Sequence, residues 1–173
     1  MAYALNEFCS DLNVLLKEKG AGAISEIVEK LKLLLANPDF VAETFNDDTP
    51  KGKRTLYHDA DSDAYVLAHV HLAGGRGKPH SHGESWAIYG NAKGYTLMTE
   101  YVHANPVGEE HMVLRPSAKY RLGTGEARAY GPGMIHSTEH PEKAWVIRLT
   151  GTKLADIPRY HFNPETDSIL DNA

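Results

Sequence analysis

Cysteine is almost missing: Cys9 is the only one in 173 residues, so no internal disulfide can form. It falls on the apolar face of an expected helix, where a buried thiol is the ordinary reading and a nucleophile is not. No apolar run approaches the roughly 20 residues that a membrane-spanning helix needs. Positive charge is also in short supply. Lys and Arg number 18 against 23 Asp and Glu, for a net charge of −5, and no basic stripe stands out. That argues against a nucleic-acid groove and against an anionic membrane surface. The opening stretch MAYALNEFCSDLN carries acids where a signal peptide would carry lysines, so a cytoplasmic location is expected. Repeats, low-complexity stretches and linkers are missing too, and with them any P-loop, dinucleotide-binding glycine fingerprint or Ser-His-Asp pattern. What the chain has in quantity is histidine, ten in all.

Hydrophobic periodicity predicts two helices at the start. Phe8, Leu12, Leu15 and Leu16 recur at helical spacing between Leu5 and Lys19, and Gly20 and Gly22 supply the break. Ile24, Ile27, Val28, Leu31, Leu34 and Leu35 form a second stripe, ended by Asn37-Pro38. A short turn around Phe40–Thr44 follows. Both stripes read as packing against the rest of the fold. After Asp48 the texture changes to short β-branched or aromatic runs, such as Ala64–Leu72, Trp86–Tyr89, Tyr95–Tyr101, Met112–Leu114 and Ala144–Thr150, separated by Gly, Pro and Asn. The expected fold class is mainly β: an antiparallel jelly-roll barrel with N-terminal α-helices. One domain is expected over residues 1–173, with a helical cap (1–48), a barrel (49–157) and a polar tail (158–173) along the outside.

The histidines fall into a pattern. His80-Ser81-His82 places two imidazoles at i and i+2, which on a strand share one face. Gly74, Gly75, Gly77 and Pro79 precede them. A third histidine, His136, follows the turn Gly131-Pro132-Gly133 on a different expected strand. One histidine alone would be unremarkable; two clusters punctuated in this way point to a metal site.

The segments GGRGKPHSHGESWAIYGNAKG and GEARAYGPGMIHSTEH resemble the two motifs of the cupin superfamily. The resemblance implies a double-stranded β-helix holding one divalent ion through His80, His82 and His136. The glutamate usual in the first motif is missing, since Trp86 and Ala87 stand in its place. Glu84, two residues after His82, is either a turn residue or a fourth ligand. His140 stands where the second motif usually ends in Asn. Three imidazoles accept Fe, Ni, Zn, Mn or Cu alike.

Among cupins, a three-histidine site without the glutamate resembles the thiol dioxygenases, especially cysteine dioxygenase, over roughly residues 5–150. That likeness implies Fe(II), O₂ and a small carboxylate-bearing substrate as partners. It assigns the substrate carboxylate to Arg54, and it matches Ala87 and Gly94 to family positions. It breaks after His136, because Val146, Arg148 and Thr150 stand where the family has Ser, His and Tyr. His69 and His71 occupy positions that line the family's pocket. Alternation leaves two arrangements open. Either Tyr65, Leu67, His69 and His71 face inward, or Val66, Ala68, Val70 and Leu72 do. In the first case His69 and His71 are candidates for proton transfer and Arg148 for binding an anion. Tyr130 reads as a barrel-wall aromatic, Tyr120 and Arg121 as strand surface, and Tyr160-His161-Phe162 as packing of the tail. The favoured expectation is a cysteine-dioxygenase-like oxygenase. The alternatives are another metal-dependent cupin activity (isomerase, lyase or non-thiol dioxygenase) or a non-catalytic binding protein.

Overall fold

The structure is a computed structural model that describes residues 3–105, 112–163 and 165–170. Helix α1 spans Leu5–Lys19 and buries Phe8, Leu12 and Leu16 on one face; Gly20, with φ of 53°, ends it. A 3₁₀ turn over Gly20–Ala23 leads into α2, Ile24–Leu35, whose Ile27, Leu31 and Leu34 are fully buried. Helix α3, Pro38–Thr44, starts with Pro at its first turn. The Asn37 side chain caps it, accepting from the Asp39 and Phe40 amides at 3.0 and 3.4 Å.

Eleven strands follow among the described residues. They are β1 (Gly52–His58), β2 (Tyr65–His71), β3 (Gly75–Arg76), β4 (Ala87–Lys93), β5 (Thr96–His103) and β6 (Leu114–Leu122). Then come β7 (Ala127–Tyr130), β8 (Ile135–His140), β9 (Ala144–Thr150), β10 (His161–Asn163) and β11 (Ser168–Leu170). Five of them pair in the order β1-β2-β9-β4-β7 and four in the order β3-β8-β5-β6, every pairing antiparallel. Strands β10 and β11 pair antiparallel as a two-stranded ribbon, so the fold class is mainly β, with two large antiparallel sheets, this ribbon and an N-terminal helical cap.

The five-stranded sheet is covered on both faces, and this decides the orientation of the site. Val66, Ala68 and Val70 of β2, Ile88 of β4, and Trp145, Ile147 and Leu149 of β9 share one apolar cluster with the helices. A Cβ built on Gly90 would lie 2.7 Å from Leu35 and 2.9 Å from Leu31, so glycine lets the cap settle closely on β4. The opposite face looks into the barrel. There Ala87, Tyr89, Tyr130, Ala144 and Val146 meet Met98 and Leu122 from the other sheet. The alternate positions of β2 therefore point inward, carrying His69 and His71 with them. Of the two arrangements open from alternation, the protein adopts this one.

The tail does more than run along the outside. The Ser81 amide donates to the Tyr160 carbonyl at 3.0 Å, and the Phe162 amide donates to Pro79 at 2.8 Å. No helix among the described residues is long and apolar enough to cross a membrane.

Candidate metal centre

His80 and His82 do not lie on a regular strand, as their spacing had implied. His80 forms an isolated bridge to His136 on one side and to His161 on the other. His82 sits in the loop that turns at Gly83. His136 is on β8. The backbones of His80 and His136 exchange two hydrogen bonds, of 2.9 and 3.0 Å. This brings the three side chains together: one ring nitrogen from each lies within 4.8 Å of the others, the only such group among the described residues. His82 and His136 are fully buried, and His80 is half-buried.

The donor set suits a metal ion. Nδ1 of His82 and both ring nitrogens of His136 have no hydrogen-bond partner. Leaving buried polar atoms unpartnered costs about 1–3 kcal/mol each, a penalty that coordination would offset. The Lys78 carbonyl, 2.9 Å from His80 Nδ1, takes its proton and leaves Nε2 as the donor to a metal. Burial pushes all three imidazoles down, His80 to about 4, His82 to about 2 and His136 to about 3, and neighbouring histidines and Arg148 add to the effect. Neutral imidazole is the form that binds metal. Glu84 is exposed and lines a different groove beside Ile157 and Tyr160, so it is no fourth ligand in this arrangement.

Beside the triad lies a cavity of about 140 Å³ lined by His69, His71, His80, Tyr89, Thr138, His140 and Arg148. The inward alternation of β2, β4, β8 and β9 supplies all of them except His80. His71 stacks between His69 and His140, with ring centroids 5.7 and 3.9 Å away. Burial holds His69 at about 2, and His71 and His140 at about 4, so the column is neutral near pH 7. Nε2 of His69 and of His140 has no partner. Arg148 Nε is likewise buried without one, and no carboxylate lines the cavity. A fixed cation among neutral imidazoles makes this an anion-accepting space.

Tyr89 was not singled out from the sequence. Its hydroxyl lies 3.0 Å from His82 Nε2, and it directly opposes Arg148 across the β4–β9 ladder. The available signal was parity with Ala87, two residues earlier. Beneath His136, the Tyr130 ring packs at 4.2 Å. Its hydroxyl is 2.6 Å from that of Tyr120, which donates to Glu100 at 2.7 Å, and Arg128 closes the network on Glu100 at 3.0 Å. Tyr120 is thus an inward group rather than strand surface.

Arg54 must be reassigned. It opposes Ala68 on β2, and that row faces the helical cap. Its guanidinium donates to the Thr44 carbonyl at the end of α3. The expected grip on a substrate carboxylate beside the metal does not fit this placement. Lys53, its neighbour, opposes His69 and takes the inward row instead.

No protein-family model matches the chain, and no curated protein matches it. Solved structures do. A cupin superfamily protein from Desulfitobacterium hafniense is 8% identical, with 65% of this chain and 87% of that one covered at a TM-score of 0.46. A cupin-2 domain protein from Shewanella frigidimarina is 12% identical, with coverage of 69% and 95% and a TM-score of 0.45. KdgF from a Halomonas species is 16% identical, with coverage of 65% and 91% and a TM-score of 0.46. The fold is a double-stranded β-helix, a jelly-roll barrel. Its facing antiparallel sheets, with the histidines of both sequence motifs converging between them, carry that statement.

Proposed function

We propose that this protein is a metal-dependent enzyme acting on a small carboxylic acid, with oxygenation as its reaction. The observation that carries the reading is Arg148: a guanidinium with an unpartnered Nε, in a cavity without acids, sharing that cavity with a histidine of the triad. His80, His82 and His136 would hold the ion. A redox-active metal such as Fe(II) at that position would supply electrons that let O₂ react with an organic acid.

The chain's own residues then divide the remaining work. Arg148 holds the carboxylate by charge-assisted hydrogen bonds. The Tyr89 hydroxyl, beside His82, holds or delivers a proton at the substrate. The apolar outer faces of β2, β4 and β9, sealed by the helices, keep bulk water from reaching the cavity through that wall. The thiol-dioxygenase form of the reading has lost its particular support, because Arg54 faces the cap and the Ser-His-Tyr positions are Val146, Arg148 and Thr150. A thiol is therefore one candidate acid among several.

A second reading draws on the stacked His69, His71 and His140. Three neutral imidazoles, two with an unpartnered Nε2, are weak bases while the cavity is empty, and an anionic substrate beside them would raise their proton affinity toward what an isomerase or lyase requires. Oxygen uptake by Fe(II)-loaded protein, measured against a panel of thiol and non-thiol acids, separates the two. Uptake coupled to loss of the acid supports oxygenation. Conversion of the acid without uptake transfers the site to the second reading, and neither change with any acid counts against both.

A further inference from the structure

A second cavity, of about 160 Å³, continues along the inner face of β1, β2 and β9. Arg148 lines both cavities. The other charged residues around the second one are Lys53, Lys153 and Arg159, and no acid lines it. Strand register explains the adjacency. On β2, Tyr65 and Leu67 wall the second cavity, while His69 and His71 wall the first. Two residues along a strand advance about 7 Å, roughly the length of a short dicarboxylic acid. Lys53 opposes His69, and Arg148 opposes Leu67, so the cations sit on both sides of this step.

Arg148, Lys53 and Lys153 place like charges around one small cavity, and an anion among them relieves their repulsion. Lys153 has a partner in Asp156 at 3.2 Å, but both side chains are more than half exposed, at 56% and 61%, and water screens the pair. The fields of Arg148 and Lys53 both reach His69, where they add to burial in disfavouring the imidazolium.

We propose that Lys53 and Lys153 form a second anion subsite beyond Arg148, so that the substrate carries an anionic group at each end. This rests on the reading of Arg148 as the anchor beside the metal. The substrate class narrows accordingly, from small carboxylic acids to short diacids or to acids bearing a terminal phosphate or sulfonate.

Calorimetric titration of Zn(II)-loaded protein, which is redox-inert, with matched acids tests this. The pairs are succinate with butyrate and glutarate with valerate, at about 0.05 M salt, where charges still act over about 10 Å. The diacid of at least one pair is expected to bind tenfold or more tightly than its monoacid. The Lys53→Gln/Lys153→Gln variant should erase that advantage while leaving monoacid affinity unchanged. If that variant does not fold, Lys53→Gln alone, at an exposed strand position, reads the same difference. Equal affinity of diacid and monoacid in both pairs, or an advantage that survives the lysine variants, overturns the subsite and leaves the Arg148 reading standing. Absence of binding by all four acids overturns both. Titration with inorganic phosphate in place of the second carboxylate distinguishes a phosphate end from a carboxylate end.

Discussion

Arg148 on β9 and Arg54 on β1 flank β2 in one sheet, and their opposite facing separates a substrate contact from a structural one. Replacing Arg148 with Met keeps the aliphatic stem and removes the charged donors. Loss of a charge-assisted hydrogen bond costs about 1.5–3 kcal/mol, so affinity for a substrate acid should fall roughly tenfold to hundredfold, with metal content unchanged. Titration of the metal-loaded variant measures this, and unchanged affinity would remove Arg148 from the site. Arg54→Met should leave acid affinity as it was. It removes the donor to the Thr44 carbonyl, which is a contact between cap and sheet. Its effect belongs in a urea denaturation midpoint, with a cost of about 1 kcal/mol.

At the scale of elements, the helices and the motif histidines were legible in the sequence because each rests on a local pattern. Expected bounds for the first two helices agree with Leu5–Lys19 and Ile24–Leu35 to within one residue. The facing of β2 was not legible. Both its rows are buried, one under the helices and one in the cavity, so the apolar row Val66, Ala68, Val70 marks the cap and not the barrel interior. Arg54 was misplaced for the same reason: a register measured along the chain does not say which side of a doubly covered sheet a residue takes. Strand β6, Leu114–Leu122, is legible only at its ends, in the run to Leu114 and in Tyr120 and Arg121, because Arg115, Lys119 and Arg121 give it little apolar signal.

The tail's role was illegible as well, since its pairing with the His80–His82 segment is long-range. Gly83, with φ of +59°, shows how close that pairing is: an added Cβ would lie 2.2 Å from the Pro158 carbonyl oxygen. Gly83→Ala should therefore cost about 1–3 kcal/mol of backbone strain and push the tail off the loop that carries His82. A lower urea midpoint together with faster loss of metal to a chelator is the expected result. Unchanged release kinetics would mean the tail does not support the site.

For the whole molecule, the interior collects histidines that folding keeps neutral. His69 and His82 are held at about 2, His136 at about 3, and His71, His80 and His140 at about 4. Each titrates near 6.5 once unfolded. Below that value the unfolded chain binds more protons than the folded one, so stability is lost as pH falls. Above about pH 7 these groups are neutral in both states and contribute no slope. Each adds up to about 1.4 kcal/mol per pH unit between roughly 6 and 4. The metal-free protein should accordingly show a level urea midpoint from pH 8 to 7 and a steep fall from 6 to 5. A midpoint that stays level down to pH 5 would mean these side chains reach water in the folded state.

Everything proposed for the cavity depends on an ion held by His80, His82 and His136. Elemental analysis of reconstituted, dialysed protein, with wild type beside His136→Ala, tests that directly. One metal per chain in the wild type and essentially none in a folded His136→Ala protein is the predicted result. Full occupancy in that variant, or none in the wild type under any of the candidate metals, would contradict the three-histidine centre.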